Sequence, residues 1–354
     1  MTHRDIKPAN ILLIDNNICL GDFGLVDYPD KEDITTPREE LGARWTMAPE
    51  IRRHNHNDET RPSDVYSLAK SLWITITKIK DGFDGQYQKN GTISIKNYIG
   101  QEFVGTLEDL LFQATEHQAS LRPSMDEFRD SLQAWLKINS NFEMSNTVEW
   151  EYAQRNVFPS GTPSHAKWEK IDSIVHILNL IGHKTNLNHI FFPDGGGLDL
   201  EGAYISKRED GCIEIITDGI INLLKPSSLQ FEGFGIDKEW DYFRLECLEL
   251  EPSGVYTNIS KLGSEEVVDL GAGRYIQGEY WSYGDYNGEP LPPEAKRLVR
   301  YMKGTFVIFQ KMSSYNSIPD TYDGRHSQMN ATEFRAHIEQ LIAVFTKIKA
   351  KQLI

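Results

Sequence analysis

The sequence is poor in cysteine, in basic residues and in long apolar runs, and each shortage excludes a class of protein. Its 354 residues include only three cysteines, too far apart for a disulfide framework or a zinc motif. Lys and Arg number 37 against 52 Asp and Glu, a net charge of −15. This balance argues against general binding to nucleic acids or to anionic membranes. No apolar run approaches the ~20 residues of a membrane span. No signal pattern opens the chain, so we expect a cytoplasmic protein.

Length and composition divide the chain into two folded parts. At ~150 residues per domain the length predicts about two domains. The segment 138–163 is polar and ends in Pro and Gly, as linkers do. We therefore predict one domain at 1–137, a linker at 138–163 and a second domain at 164–354, with an α+β fold overall. Both parts are acidic, so charge does not distinguish their partners.

Apolar periodicity in the first part predicts a mostly helical domain with a small β element. Two short apolar runs on either side of the polar turn 15–17 predict a hairpin. Ser63 is predicted to be the N-cap of one helix. Ser124 and Glu127 have the spacing of a capping box, which predicts the start of another helix.

The second part mixes strand and helix patterns. The segments His165–Ile181 and Ala331–Lys349 have the apolar spacing of amphipathic helices. A small basic cluster, Arg297, Arg300 and Lys303, is predicted to lie on the solvated face of a short helix. The alternative is a binding site for an anion or a phosphopeptide. Six strand-like runs with Gly-containing turns between several of them predict an antiparallel sheet: Ile190–Phe192, Leu198–Ile205, Cys212–Ile216, Ile221–Leu224, Phe243–Leu250 and Phe306–Phe309.

Five motifs follow one another through the first part in a fixed order. They read HRDIKPANILL at 3–13, DFG at 22–24, MAPE at 47–50, DVYSLA at 64–69 and RPS at 122–124. Each is weak alone, but together they resemble the large-lobe signatures of the protein kinase family. The resemblance covers about residues 3–137. It implies a mostly helical kinase-like large lobe followed by a separate mixed α+β domain.

The resemblance also implies a site for phosphoryl transfer from ATP, a reaction that needs positioning and charge neutralisation. Asp5 would act as the base on a hydroxyl group of a protein substrate. Lys7, which resembles the Ser/Thr-specific branch, would neutralise charge on the transferring phosphoryl group. Asn10 and Asp22 would hold Mg²⁺ through oxygen ligands. Taken singly, each Asp or Asn could instead be a turn residue that bonds nearby backbone.

Other motif residues would support this site. Phe23 and Gly24 would set the position of the loop that carries Asp22. Glu50 and Arg122 resemble the pair that ties the end of the activation segment to the late helices, and Asp64 would hold the backbone of the catalytic loop.

A further group concerns the regulation of the site. His3 is expected to be a packed scaffold residue rather than a catalytic one. Arg4 would meet a phosphate on the activation segment, for which Thr35, Thr36 and Thr46 are candidate acceptors. A solvated loop without modification is an equally good interpretation of these threonines.

The sequence departs from the family pattern in two ways. Ala43 stands where Ser/Thr-specific members usually have Thr, which puts ordinary activity or specificity in doubt. The Gly-rich loop, strand Lys and helix Glu of the small lobe do not precede the first motif. Gly195–Gly197 is better explained as a turn than as a phosphate loop.

Three hypotheses account for the missing small lobe: a start upstream of Met1, a non-catalytic remnant, or a second polypeptide that supplies the lobe. We favour the first, because the large-lobe catalytic residues are all intact. We expect the 354-residue chain itself to show no measurable phosphate transfer.

The second part gives little indication of chemistry. It loosely resembles the C-terminal extensions of bacterial Ser/Thr kinases, which implies sensing, targeting or binding of a regulatory partner. The aromatic and Gly-rich stretch 278–288 is either a packed loop over the sheet or a recognition loop. The function favoured by the sequence is a Ser/Thr protein kinase that uses ATP and Mg²⁺. The alternative is a pseudokinase scaffold with the second domain as its recognition module.

Overall fold

The structure is a computed structural model, and its described residues form two compact units, Met1–Ser145 and Asn146–Ile354. Both units contain helices and strands, so the α+β class predicted from the sequence is confirmed. The described residues are 2–26, 45–52, 61–99, 102–182, 187–217, 219–235, 238–249, 267–271, 274–277, 296–297, 299–318 and 324–352.

The described residues of the N-terminal unit form one β-hairpin and a group of helices. The 3₁₀ turns Pro8–Asn10 and Phe23–Leu25 flank the hairpin, one on each side. The strands and helices of this unit are β1 (Ile11–Ile14), β2 (Asn17–Leu20), α1 (Pro49–Arg52), α2 (Arg61–Thr77), α3 (Gly105–Ala114) and α4 (Met125–Asn139).

The predicted hairpin is confirmed, with a two-residue turn. Ile14 pairs with Asn17, so Asp15 and Asn16 alone make the turn. Their φ angles are 49° and 60°, and Asp and Asn are the non-glycine residues that tolerate this left-handed region best. Much of the hairpin's apolar surface faces solvent, since Ile18 is 79% exposed.

Helices α2 and α3 carry the core of the N-terminal unit. Val65, Ala69 and Trp73 of α2 are buried together with Leu107 and Leu111 of α3. The predicted capping box of α4 is confirmed: the Ser124 side chain accepts from the Glu127 N–H, and the Glu127 carboxylate accepts from the Ser124 N–H at 2.7 Å. Ser63 is not an N-cap, because α2 begins at Arg61 and Ser63 is buried within its first turn.

The segment 138–163 is largely helical, which differs from the linker predicted there. It contains α5 (Phe142–Val157). Trp150 of this helix is wholly buried in the core of the C-terminal unit. The sequence of this segment resembles a linker because few of the residues that the helix buries are apolar, Trp150 and Ala153 among them.

The strands described in the C-terminal unit are β3 (His165–Trp168), β4 (Asn188–Phe191), β5 (Gly197–Leu198), β6 (Leu200–Ile205), β7 (Ile213–Thr217), β8 (Ile220–Glu232), β9 (Tyr242–Leu248), β10 (Val267–Gly271), β11 (Arg274–Gln277), β12 (Lys296–Arg297), β13 (Val299–Tyr301) and β14 (Gly304–Gln310). Nine of these described strands form one large sheet in the order β5-β4-β14-β9-β8-β7-β6, with β3 and β13 also paired to β8. The other three form a small sheet in the order β10-β11-β12.

Helices cover both faces of the large sheet. Along β14, Phe306 and Ile308 belong to the core that includes helix α6 (Ile171–Ile181). The alternate residues Val307 and Phe309 belong to the core that includes helix α7 (Ala331–Gln352). Successive strand residues point to opposite faces, so one strand contributes to two cores.

Two element predictions in this unit are wrong. The segment predicted as one helix, His165–Ile181, is the strand β3 followed by the helix α6. Strand β3 forms because its half-buried Ala166 and Trp168 pack against the sheet core while the alternate residues, His165 and Lys167, are exposed. The basic cluster does not lie on a helix: Arg297 is in β12, Arg300 is in β13 and Lys303 directly precedes β14. Within the described part of the chain, none of the helices has the length and apolar character that crossing a membrane requires.

Candidate active site

The site is built around the loop 3–10, and Arg4 near its start has a strained backbone conformation. Arg4 has a φ of 66°, in the left-handed region that non-glycine residues rarely adopt. The carboxylate of Asp64 accepts hydrogen bonds from the backbone N–H groups of His3 (2.6 Å) and Arg4 (2.8 Å). Asp64 lies in the first turn of α2. The helix therefore holds the loop in its unusual conformation.

Asp5, Lys7 and Asn10 form one connected polar group. The Lys7 Nζ atom lies 2.8 Å from Asp5 Oδ2. The Asn10 amide nitrogen donates to the same oxygen at 3.0 Å and to the Asp5 carbonyl at 2.9 Å. Asp5 and Asn10 are both more than nine-tenths buried, whereas the Lys7 side chain is 24% exposed. The arrangement orients the Asp5 carboxylate and leaves the ammonium group accessible.

Asp22 reaches the same region through the backbone. The Gly21 N–H donates to the Asn10 carbonyl at 2.8 Å, which fixes the residue before Asp22 beside the loop 3–10. Asp22 has a φ of 60° and an exposed side chain. The following residues, Phe23 and Gly24, begin the 3₁₀ turn that ends the described stretch.

His3 is a buried scaffold residue in this geometry. Its Nε2 atom lies 3.1 Å from the Gly21 carbonyl oxygen. Its ring contacts the ring of Phe23, with centroids 5.1 Å apart. His3 therefore joins the loop 3–10 to the segment that carries Asp22.

Arg122 uses all five of its N–H donors. Its two terminal nitrogens donate to the two oxygens of Glu50 at 2.6 and 2.9 Å. The same nitrogens donate to the carbonyls of Pro62 and His117, and Nε donates to the carbonyl of Glu116. The guanidinium side chain has no exposed surface, and Glu50 is 14% exposed. A bidentate pair of this kind fixes α1 against the start of α2 and the turn before α4.

The oxygen atoms of Asn10 and Asp22 suit a hard divalent cation. Because the Asn10 nitrogen is committed to Asp5, the amide oxygen of Asn10 is the atom left to act as a ligand. The Asp22 carboxylate is exposed, and Mg²⁺ is commonly held by one or two carboxylates together with phosphate oxygens. Among the described residues, no group of three or more His, Cys, Asp and Glu forms a ready-made all-protein metal site.

Some predicted site residues fall outside the described part of the chain. Thr35 and Thr36 are among these, as is Ala43. Thr46 is described and is buried, with 3% of its surface exposed. Thr46 is therefore a poor acceptor for modification in this conformation.

Sequence reasoning missed a buried lysine in α2. Lys70 is 1% exposed, and its Nζ atom donates to the carbonyls of Phe83 (2.6 Å) and Gly85 (2.7 Å). Burial lowers the pKa of Lys70 to about 7, against the opposing effect of Asp84. Burial also raises the pKa of Tyr66, which donates to the Gly85 carbonyl. The one signal in the sequence is a lysine at the helical spacing of Tyr66, Ala69 and Trp73.

The first unit is similar in sequence to known protein kinases. Residues 1–139 match the family model described as the protein kinase domain. A probable serine/threonine-protein kinase of Dictyostelium discoideum is 25% identical over 177 residues, 46% of this chain and 20% of that protein. A putative serine/threonine-protein kinase of Acanthamoeba polyphaga mimivirus is 28% identical over 141 residues, 39% of this chain and 51% of that protein. A dual specificity protein kinase of Dictyostelium discoideum is 35% identical over 136 residues, 35% of this chain and 20% of that protein.

The chain spans about half the length of the mimivirus relative and about a fifth of the other two. These three relatives come from a eukaryote and a virus. The resemblance of the second part to the C-terminal extensions of bacterial Ser/Thr kinases stays a prediction. One of the three relatives is described as a dual specificity kinase, so these relatives do not all share the Ser/Thr description.

Proposed function

Because residues 1–139 belong to the protein kinase family, we propose that they form the large-lobe portion of a Ser/Thr protein kinase. In this proposal the enzyme transfers the γ-phosphate of ATP to Ser and Thr hydroxyl groups of a protein substrate. The observation that carries the proposal is the polar group of Asp5, Lys7 and Asn10, with Asp22 fixed next to it by the backbone bond from Gly21.

Each residue of this group has one chemical role in the proposal. Asp5 accepts or orients the proton of the substrate hydroxyl. Its buried carboxylate accepts hydrogen bonds from Lys7 and from Asn10, which fix its orientation for that role. Lys7 brings a positive charge to within 2.8 Å of the same carboxylate and neutralises charge on the transferring phosphoryl group. Asn10 and Asp22 supply oxygen ligands for Mg²⁺, which would bridge the phosphates.

The exposed hairpin supports the view that another lobe covers this site. Leu13, Ile14 and Ile18 are each more than half exposed, and Phe23 is 56% exposed. Contiguous apolar surface of this kind commonly marks an interaction site. We propose that a small lobe, on the same polypeptide or on a second one, covers the hairpin and supplies the contacts to the ATP phosphates.

A transfer assay with Asp5→Asn tests the catalytic proposal. The assay uses the longest in-frame product that the gene encodes and, in parallel, the 354-residue chain, with radiolabelled ATP, Mg²⁺ and a general protein substrate. Asn keeps the size of Asp5 but cannot accept a proton, so we expect transfer to fall by at least ~10²-fold. The matched control is Asp15→Asn in the hairpin turn, where Asn is equally tolerated at positive φ.

The outcomes separate clearly. Transfer that is lost in Asp5→Asn and kept in Asp15→Asn supports the proposal. Equal transfer by Asp5→Asn and the unaltered product would refute the assignment of Asp5. Removal of Mg²⁺ with a chelator should abolish transfer in every active sample.

A second candidate function is a kinase-like scaffold without catalysis. The observation that favours it is the absence, among these 354 residues, of a Gly-rich loop followed by the strand Lys that contacts ATP. In that case the second domain, 164–354, would recognise a regulatory partner. Calorimetric titration with Mg²⁺ and ATP distinguishes the two functions. Binding that depends on Asp22 favours the enzyme, whereas no binding to any product of the gene favours the scaffold.

A further inference from the structure

Lys70 lies at one end of a buried chain of contacts in the N-terminal unit. Its Nζ atom donates to two carbonyl oxygens of the segment that follows α2, those of Phe83 and Gly85. The third direction around the nitrogen faces the ring of Phe83, 3.4 Å from its centroid. Two carbonyls and one aromatic face therefore surround the amine on three sides.

The Gly85 carbonyl also connects this lysine to Tyr66. The Tyr66 hydroxyl donates to that carbonyl at 3.1 Å, so the two side chains of α2 converge on one oxygen atom. Lys70 Nζ itself lies 5.2 Å from the centre of the Tyr66 ring. The position of the Tyr66 ring therefore depends on a carbonyl that Lys70 holds.

Tyr66 in turn contacts the pair that anchors the end of the activation segment. The guanidinium carbon of Arg122 lies 4.9 Å from the centre of the Tyr66 ring. Arg122 binds Glu50 through two hydrogen bonds. The contacts thus run without a break from Lys70 through Gly85, Tyr66 and Arg122 to Glu50.

We propose that Lys70 is a positioning residue: it fixes the carbonyls of Phe83 and Gly85 and thereby sets the Tyr66 ring against the Arg122–Glu50 pair. The consequence for the activation segment rests on the proposed kinase function, but the contacts themselves do not. The segment 81–87, whose Phe83 and Gly85 carbonyls accept hydrogen bonds from Lys70, is the Lys70 loop.

The charged and titratable groups around Lys70 give the proposal a second readout. Asp84 of the Lys70 loop favours the charged amine, whereas Arg52 of α1 and the burial of the amine disfavour it. Tyr66 faces the amine, and Arg122 and Glu50 lie beyond it. The net effect lowers the pKa of Lys70 to about 7 from an ordinary value of 10.5.

This lowered pKa fixes the direction of a pH effect. When the Lys70 loop opens, the amine meets water and regains its ordinary pKa, so opening takes up a proton between about pH 7 and pH 10.5. Raising the pH in that range therefore disfavours opening, by up to about tenfold for each pH unit. A loop that does not enclose the amine would show no such dependence.

The experiment is hydrogen–deuterium exchange on the full 354-residue chain, read by mass spectrometry and corrected for the intrinsic rate at each pH. The test variant is Lys70→Met, which keeps the length of the side chain and removes its donors. The matched control is Lys137→Met, at an exposed position in the last turn of α4. Peptides that cover the Lys70 loop and residues 116–122 report on the two ends of the contact chain.

We expect Lys70→Met to increase exchange in the Lys70 loop by roughly fivefold or more, since two buried carbonyls lose their hydrogen-bond donor. Exchange in the 116–122 peptide should increase in the same variant, and Lys137→Met should match the unaltered chain. Unchanged exchange in the Lys70 loop would overturn the proposal. An effect confined to that loop would overturn the connection to Arg122.

The unaltered chain provides a test that does not depend on the folding of any variant. Its corrected exchange in the Lys70 loop should slow as the pH rises from 7 to 9. A profile that stays flat would overturn this pH effect, whereas the contacts themselves are tested by Lys70→Met. None of these measurements requires catalysis. A failure here is therefore distinguishable from a failure of the kinase assignment, which the Asp5→Asn assay decides.

Discussion

Replacing Arg122 with Met removes the guanidinium group that joins three parts of the N-terminal unit. The side chain donates two hydrogen bonds to Glu50 and three to the backbone carbonyls of Pro62, Glu116 and His117. Met fills a similar length with apolar atoms. The substitution therefore leaves one largely buried carboxylate and three carbonyls without this donor.

The magnitude follows from the burial of the pair. The Arg122 side chain has no exposed surface and Glu50 only 14%, and breaking a buried ion pair by removing one partner costs about 3–5 kcal/mol. Since each 1.4 kcal/mol is a tenfold change in an equilibrium constant, opening of the unit should increase by about 10²-fold or more. Such a loss is a large part of the ~5–15 kcal/mol that stabilises a typical domain.

Hydrogen exchange of the α2 amides measures this loss, because helix α2 carries much of the core of the unit. The control is Arg129→Met, whose side chain is 58% exposed in its pairs with Asp126 and Asp130. Exposed pairs of this kind contribute ~0–1 kcal/mol. The double variant Glu50→Gln with Arg122→Met should recover part of the loss, since no buried charge remains unpaired. If Arg122→Met is no more destabilising than Arg129→Met, the reasoning from burial is wrong.

Two further substitutions test other contacts. Asp64→Asn replaces one carboxylate oxygen with an amide NH2 group, which would face a backbone N–H group that now has an acceptor. We therefore expect the amides of the loop 3–10 to lose about 2 kcal/mol of protection against hydrogen exchange. The control Asp15→Asn should have no such effect. Gly197→Ala would place a Cβ atom 2.8 Å from the Ile190 carbonyl and against the His189 ring, whereas Gly196→Ala meets no atom within 4 Å and costs only the strain of a φ of 73°. Urea unfolding of the C-terminal unit should therefore show a loss of about 1–3 kcal/mol for Gly197→Ala and about 1–2 kcal/mol or less for Gly196→Ala. The reverse order would contradict the geometry.

Local signals predicted the parts of the fold that depend on local chemistry. The capping box at Ser124 and the hairpin around residues 15–17 each need only neighbouring residues, and both are confirmed, although Asn17 belongs to β2 rather than to the turn. Strand β8 was predicted as 221–224 but extends to Glu232. Pro226 interrupts the strand pattern, and the sheet accommodates it at an irregularity in the pairing with β9. The sequence does not show which strands pair with β8.

The motif order located the residues of the candidate site but not their contacts. Asp5 pairs with Lys7 and Asn10 within one short loop, but the sequence does not show which atoms of these residues pair. Lys70 was missed because a lysine on a helix normally lies on the solvated face. Its burial depends on the carbonyls of Phe83 and Gly85, whose position is set by tertiary packing and leaves no periodic signal.

The position of β14 within the large sheet has a consequence for synthesis of the chain on the ribosome. This strand pairs with β4 and with β9, and its partners in β4 precede it by more than a hundred residues. The centre of the sheet therefore stays open until residues near 310 have left the ribosome, and α7 can cover its face only later still. Pairings over such sequence distances form slowly and leave strand edges exposed meanwhile. The N-terminal hairpin, which pairs residues less than ten apart, is complete long before.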